Sequence, residues 1–126
     1  MRPPKRILLA GDDGELVSAL SVLLRIHGHI VIKAESAIEA HGVMLAAPID
    51  LLLVVWPFAG AQELMDLSKA IDSYAGTLLV APDQTPVILG PAIDSALFKG
   101  HCSSAEILER VKVLTARKRG PKGPRS

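Results

Sequence analysis

Asp12 and Asp13 are two adjacent acidic residues that directly follow a short apolar run at residues 7–10. Two carboxylates at the end of a buried strand would supply oxygen ligands of the kind that Mg²⁺ takes in proteins. A pair of aspartates is also typical of a solvated turn. The pair therefore indicates either a solvated turn after the strand or a metal or salt-bridge site, and both interpretations stay open.

The other residue types that often carry chemistry are scattered. His27, His29, His41 and His101 show no ligand spacing with one another or with Cys102. The single cysteine cannot form an internal disulfide, and we expect a nearly inert thiol. The sequence contains no nucleophile–base constellation, no phosphate-cradling glycine loop and no RNA-binding aromatic pattern. We therefore expect no enzyme, no cofactor and at most weakly bound Mg²⁺.

Composition limits the class of protein. The chain has 126 residues, of which 49% are hydrophobic and 3% aromatic. These values predict a single packed domain with an aliphatic core. No apolar run approaches the roughly 18 residues that a membrane-spanning helix needs. The first apolar run ends at Gly11, which is too early for a secretory signal. The sequence thus predicts a cytoplasmic protein with no membrane segment.

Charge is unevenly distributed along the chain. Of the 14 Lys and Arg residues, three precede Ile7 and five lie in the last ten residues, whereas all 13 acidic residues lie between. We predict a folded domain at residues 1–116 and a basic, disordered tail at 117–126. The tail is either a linker or solubilising end, or a weak, salt-dependent contact for nucleic acid or an acidic partner.

Hydrophobic periodicity alternates between strand-like and helix-like segments five times. The predicted strands are 7–10, 29–34, 49–55, 77–81 and 96–99, and the predicted helices are 15–27, 37–47, 62–73 and 104–117. Capping-box spacings begin two of these helices, Ser36 with Glu39 and Ser103 with Glu106. The helix at 62–73 is predicted to bury Leu64, Leu67, Ala70 and Ile71.

This alternation predicts an α/β fold of the flavodoxin-like, doubly wound type. Five parallel strands would take the order 2-1-3-4-5, with any site at the carboxyl ends of strands 1 and 3. The proline-rich segment between the fourth and fifth strands leaves room for only a shortened helix.

Several segments together resemble the receiver domain of two-component response regulators, over roughly residues 6–115. "ILLAGDDGEL" is similar to the opening strand and acidic pair, which places Asp12 and Asp13 at metal-binding positions. "HGHIVIKAESAIEA" is similar to the second strand and its helix, and "IDLLLVVWPFAG" to the phosphoacceptor strand and loop. "DSALFKGH" is similar to the last strand and places Lys99 at the position of the family's lysine.

The departures from this family concern its reactive residues. Val55 stands where the family has the aspartate that accepts the phosphoryl group, and a hydrocarbon cannot be a nucleophile. Ala81 replaces the hydroxyl residue of the family's switch, and Ala96 replaces its aromatic residue. Asp50 cannot substitute, because five strand steps of about 3.3 Å place it roughly 16 Å from the site.

Three charged residues of the resembled site remain, namely Asp12, Asp13 and Lys99. Two neighbouring carboxylates repel each other unless a cation is near. We therefore expect Lys99 to pair with Asp12 or Asp13 in place of a metal ion. Trp56 follows the third strand, and it either covers the space over Val55 or anchors an interface.

The resemblance implies a degenerate receiver in a phosphorelay, acting by protein–protein contact and not phosphorylated at the usual position. A homodimer through the fifth strand, the last helix and the apolar stretch Pro86, Val87, Ile88 and Leu89 is a candidate. The alternatives are a small-molecule binder that uses the vacated pocket at Asp12, Asp13, Val55 and Lys99, and weak nucleic-acid association through the tail.

Overall fold

The structure is a computed structural model that describes residues 4–12, 14–56, 58–72, 75–81, 94–98 and 103–116. Within these residues the chain forms five strands and four helices. The strands are β1 (Arg6–Ala10), β2 (Ile30–Ala34), β3 (Leu51–Val55), β4 (Gly76–Ala81) and β5 (Ser95–Phe98). The helices are α1 (Gly14–Ile26), α2 (Ala37–Ala46), α3 (Ala61–Ile71) and α4 (Ser104–Thr115).

The strands form one parallel sheet in the order β2-β1-β3-β4-β5, which confirms the predicted fold class and strand order. At the centre of the sheet, Ile7 of β1 lies opposite Leu51 of β3, and Leu52 of β3 lies opposite Thr77 of β4. The predicted shortened helix between β4 and β5 lies outside the described residues, as do the candidate contact stretch at 86–89 and the tail.

Among the described helices, two cover each face of the sheet. Helices α1 and α4 pack on one face, in a first cluster that includes Leu9, Val17, Leu53 and Val111. Helices α2 and α3 pack on the opposite face, in a second cluster that includes Leu8, Met44, Leu52, Leu64 and Met65. Every residue of β3 is buried, as expected for a central parallel strand with helices on both sides.

The phase of α3 differs from the sequence prediction. Leu64 is buried and Leu67 is partly buried, but Ala70 is exposed and Ile71 is 45% exposed. The buried face instead contains Ala61, Met65 and Ser68. The helix begins one residue earlier than predicted, and its last turn projects beyond the core, so the prediction for Ala70 and Ile71 was wrong.

Both predicted serine caps are present, but they differ in detail. Ser103 forms a complete capping box with Glu106 at the start of α4. Ser36 accepts a hydrogen bond from the Glu39 amide at the start of α2. The Glu39 carboxylate, however, accepts from the Glu35 amide at 2.8 Å, one residue before the cap. Each arrangement satisfies backbone donors that have no partner within the helix.

Two aspartates bind the backbone where strands begin. The Arg6 amide donates to Asp50 Oδ2 at 2.8 Å. Asp50 directly precedes β3, whereas Val55 is the last residue of that strand. Asp94 Oδ2 accepts from the Thr77 amide at 2.9 Å and pairs with Lys69 Nζ at 2.6 Å. These carboxylates therefore stabilise the amino edge of the sheet.

Among the described helices, none is long and apolar enough to cross a membrane.

Candidate functional site

The candidate site lies where the parallel strands end. Ala10 lies opposite Val54, Val55 lies opposite Val80, and Ala81 lies opposite Phe98. Because carboxyl ends of parallel strands share one edge, the residues after β1, β3 and β4 meet there, as the sequence predicts.

Asp12 is exposed on this edge and follows the buried Gly11. Asp13 and Lys99 lie outside the described residues, so the predicted pairing of Lys99 with the two aspartates stays a prediction. Of the three charged residues predicted for the site, Asp12 is therefore the one that lies within the described residues, at the carboxyl edge.

Val55 is a core residue. Only 1% of its surface is exposed, and it belongs to the first cluster together with Val17 and Val80. The position to which the sequence resemblance assigns a reactive carboxylate therefore has a buried hydrocarbon side chain. No phosphoryl group can be accepted by this side chain, and no metal ion can be bound by it.

Gly11 shows how closely the chain packs against Val55. A Cβ atom added to Gly11 would lie 2.7 Å from Val17 Cγ2 and 3.0 Å from Val55 Cβ. Real Cβ contacts are longer, so only glycine allows β1 to leave the sheet this close to two valines. The Gly11 amide also donates to the Ala34 carbonyl at 3.1 Å. Sequence reasoning treated Gly11 as a strand terminator and missed this packing role.

Trp56 packs on the other side of the sheet. Its amide donates to the Val80 carbonyl at 2.8 Å, which prolongs the pairing of β3 with β4 by one residue. Its partly buried side chain packs against the second cluster, whereas Val55 belongs to the first. The expectation that Trp56 covers Val55 was therefore wrong, because consecutive residues of an extended strand point to opposite faces.

At the two positions that the sequence resemblance assigns to a switch, Ala81 and Ala96, the side chains are methyl groups. Ala81 is 1% exposed, and Ala96 is partly buried against the second cluster. Ala81 has no hydroxyl group that could follow a phosphoryl oxygen, and Ala96 has no ring that could rotate between a buried and an exposed position. A switch built from a hydroxyl and an aromatic side chain at these two positions is thus excluded by their chemistry.

Mg²⁺ is the metal that the resembled family implies. Mg²⁺ requires near-octahedral oxygen coordination. After β1 the described residues offer the carboxylate of Asp12, and at the end of β3 they offer the hydrocarbon of Val55. Among the described residues, no three His, Cys, Asp or Glu side chains come together as a ligand set. The described residues therefore do not fit a Mg²⁺ site of the family's type.

Comparison with solved structures identifies the fold. A CheY-like response regulator receiver domain protein from Methanospirillum hungatei JF-1 matches with a TM-score of 0.80, over 90% of this chain and 94% of that one, at 19% identity. The chain has the fold of a receiver domain. A putative response regulator from Chloroflexus aurantiacus J-10-fl matches with a TM-score of 0.79, over 90% of this chain and 99% of that one, at 23% identity.

A third receiver fold belongs to a response regulator protein from Thermotoga maritima, whose structure contains Mg(2+)-BeF. It matches with a TM-score of 0.76, over 87% of this chain and 98% of that one, at 24% identity. At these identities the likeness concerns the receiver fold alone. No family model and no curated protein matches the sequence.

Proposed function

We propose that this chain is a receiver-like signalling domain of two-component regulation that acts by protein–protein contact and accepts no phosphoryl group at position 55. It is not proposed as an enzyme. The receiver fold supports the class of protein, and the chemistry of one side chain supports the mode of action.

The observation that carries this proposal is the packing of Val55. Phosphoryl transfer to a receiver requires a nucleophile that solvent and phosphodonor can reach. Val55 has no nucleophilic atom, and its contacts with Val17 and Gly11 leave it 1% exposed. The methyl groups of Ala81 and Ala96 agree with this proposal, since a domain that is not phosphorylated has no use for the switch.

The test is incubation with Mg²⁺ and acetyl phosphate, followed by intact mass measurement. We expect no phosphoryl adduct on the unaltered protein. A stable adduct on that protein would overturn the proposal, and peptide mapping would then identify the acceptor. The Val55→Asp variant, first shown to be folded by its amide spectrum, serves as the comparison. An adduct on this variant would show that Asp12, Asp13 and Lys99 remain competent.

Protein–protein contact is proposed for the surface of β5 and α4. On this surface Phe98 is 36% exposed and Val113 is 53% exposed. If the domain forms a homodimer there, sedimentation velocity will show a dimer that Val113→Glu dissociates. Val22→Glu is the matched control, because Val22 is similarly exposed, at 57%, but lies on α1. A monomer at all concentrations would exclude the homodimer and leave a different protein as partner.

Mg²⁺ binding through Asp12 and Asp13 is proposed to be weak at most, because Val55 supplies no oxygen ligand where the resembled family has a carboxylate. A magnesium chloride titration followed by amide chemical shifts tests this point. We expect millimolar or weaker binding that Asp12→Asn abolishes. Saturation at micromolar Mg²⁺ would contradict it.

The two alternatives gain no support from the described residues. The space at Val55 is filled by hydrocarbon, which does not favour a small molecule at that position. Nucleic-acid association would depend on the tail at 117–126, which lies outside the described residues. A salt-sensitive mobility shift that disappears when residues 117–126 are deleted would favour this alternative.

A further inference from the structure

A second region of the molecule has features of a binding site and is separate from the carboxyl edge. A cavity of about 480 Å³ lies between α4, the residues that precede β1, and the turn that joins α1 to β2. Its volume is within the range of typical ligand pockets, roughly 300–1,000 Å³. Neither Asp12 nor Val55 lines it.

Basic side chains dominate the titratable groups around this cavity. Lys5 precedes β1, His27 and His29 flank the turn after α1, and Lys112 comes from α4. Glu109 of α4 is the one acidic residue among the described lining residues. Within the described part of the chain, neither lysine forms an ion pair, and Glu109 forms none either. The cavity therefore has an excess of positive charge, with two lysines against one glutamate among its described lining residues.

The turn that holds the two histidines is well defined. Gly28 has φ +89°, a left-handed conformation that ends α1. The amides of His27 and His29 both donate to the Leu24 carbonyl, at 3.2 and 3.1 Å. The Ile30 amide donates to the Lys5 carbonyl at 2.8 Å, which attaches the turn to the start of β1. These bonds fix the backbone of the turn next to the backbone of Lys5, so that all three residues line the same cavity.

His29 has an unsatisfied polar atom. Its Nδ1 is buried and has no hydrogen-bond partner among the described residues. His27 Nδ1, by contrast, lies 3.0 Å from the Leu23 carbonyl. An unpaired buried nitrogen carries a cost, but because this atom is inaccessible it does not itself offer a contact to a ligand in the cavity. The lining also includes apolar side chains, with Leu108 of α4 as the largest.

We propose that this cavity binds a small organic anion, one that joins a negatively charged group to an apolar body. The two lysines attract the charge, a histidine ring nitrogen donates to it, and the apolar part packs against Leu108. Phosphate monoesters, sulfate monoesters, sulfonic acids and carboxylic acids of this shape share the required chemistry. The site does not depend on the proposed function, because it uses none of the residues at the carboxyl edge.

Benzenesulfonate is a suitable probe, because its negative charge does not change with pH in the range where histidine titrates. Sulfate supplies the charge alone, and benzyl alcohol supplies the ring alone. Each probe is titrated into the full chain while amide and imidazole chemical shifts are recorded. We expect benzenesulfonate to shift the signals of His29 and Lys112 with a dissociation constant of about 1 mM, as for a good fragment. Both partial probes should bind at least several-fold more weakly.

Lysine variants test the electrostatic part. We expect Lys5→Gln and Lys112→Gln each to weaken benzenesulfonate binding about two- to fivefold, as for partly exposed ion pairs. Lys33→Gln is the matched control, because Lys33 is exposed on β2, does not line the cavity and loses the same charge. Equal weakening by all three variants would reveal only a general charge effect and would overturn the site.

The pH dependence supplies an independent measurement. Burial, and after it the nearby charges of His27 and Lys5, lower the pKa of His29. A bound anion favours the imidazolium and therefore raises that pKa, and by linkage the affinity increases as the pH falls. Lys5 and His27 act directly on the ring, and Glu109 and Lys112 line the same cavity. We expect roughly three- to tenfold tighter binding at about pH 5 than at about pH 7.5, with a smaller change in His29→Gln.

Three results would overturn this proposal. The first is no shift of the lining signals at 20-fold excess over the expected constant, which is about 20 mM. The second is benzyl alcohol binding as tightly as benzenesulfonate, which would make the charge irrelevant. The third is sulfate binding as tightly, which would make the apolar part irrelevant.

Discussion

Replacing Val55 by aspartate restores the residue type of the resembled family, and the structure predicts a large loss of stability. Val55 is 1% exposed and packs within the first cluster, with Val17 and the backbone of Gly11 beside it. An aspartate has a similar volume, so the cost comes from chemistry rather than from shape. The carboxyl group would enter a site whose described neighbours are hydrocarbon.

The magnitude follows from two contributions. Losing the burial of a valine side chain costs about 1.5–3 kcal/mol. Burying a carboxyl group without a hydrogen-bond partner costs about 1–3 kcal/mol more. The expected decrease in the free energy of unfolding is therefore about 3–6 kcal/mol, a large part of the roughly 5–15 kcal/mol that holds a domain folded. Val55→Ala, which only removes methyl groups, should cost about 2 kcal/mol.

Urea unfolding at two pH values separates these contributions. Burial raises the pKa of a new carboxyl group above its unfolded value of about 3.9. The variant then loses stability as the pH rises from about 4 through the folded-state pKa, because the folded state resists ionisation. The unfolding midpoint of Val55→Asp should thus fall further below that of Val55→Ala at pH near 8 than at pH near 4.

One outcome would refute this reasoning. If Val55→Asp is as stable as Val55→Ala at both pH values, the carboxylate has found water or a cation at the carboxyl edge. That result would mean that a polar pocket survives beside Val55, in contrast to the hydrocarbon packing described above. A stability that increases with pH would be a still stronger contradiction, because it would show a carboxylate stabilised in its charged form.

Three further substitutions test other contacts by the same unfolding measurement. Gly11→Ala should lower the free energy of unfolding by about 1–3 kcal/mol, because the new Cβ would lie 2.7 Å from a valine methyl group. Gly42→Ala is the control within α2, because its Cβ meets no atom within 4 Å, and it should raise the free energy of unfolding by about 0.5–1 kcal/mol. Equal effects of the two substitutions would refute the packing argument. Asp94→Ala should cost about 1–3 kcal/mol, since the Asp94 carboxylate accepts hydrogen bonds from a strand amide and from a lysine. Asp66→Ala is the control at an exposed aspartate and should cost under about 0.5 kcal/mol. Ser103→Ala should cost about 1 kcal/mol through loss of the α4 cap, and an unchanged midpoint would show that the cap adds nothing.

Much of the fold could be predicted because local patterns and packing agree. The continuous apolar run before Val55 predicts a central strand, and the structure buries all of β3. Ser103 with Glu106 predicts the start of α4, and the capping box is formed there. The helical phase of α3 could not be predicted as well, because Ile71 is apolar but lies beyond the edge of the core. An apolar residue in the last turn of a helix need not face the interior.

The candidate site was only partly accessible from sequence. The identity of residue 55 predicts the loss of the nucleophile, but its burial against Gly11 depends on how closely β1 approaches β3. Side chains alternate between the two faces of a sheet along a strand, so the sequence could have placed Trp56 on the face opposite to Val55. The cavity beside His29 escaped sequence reasoning, because Lys5 and Lys112 are far apart in the chain and come together only through the packing of α4.

The position of Trp56 gives the molecule a built-in optical probe. It is the single tryptophan of the chain, so indole fluorescence comes from one place only. Because its ring is partly buried and directly follows Val55, its emission wavelength reports whether water reaches the carboxyl edge. The cavity that includes His29 does not involve this residue. Emission from one indole can therefore monitor changes at the carboxyl edge of the sheet without a label.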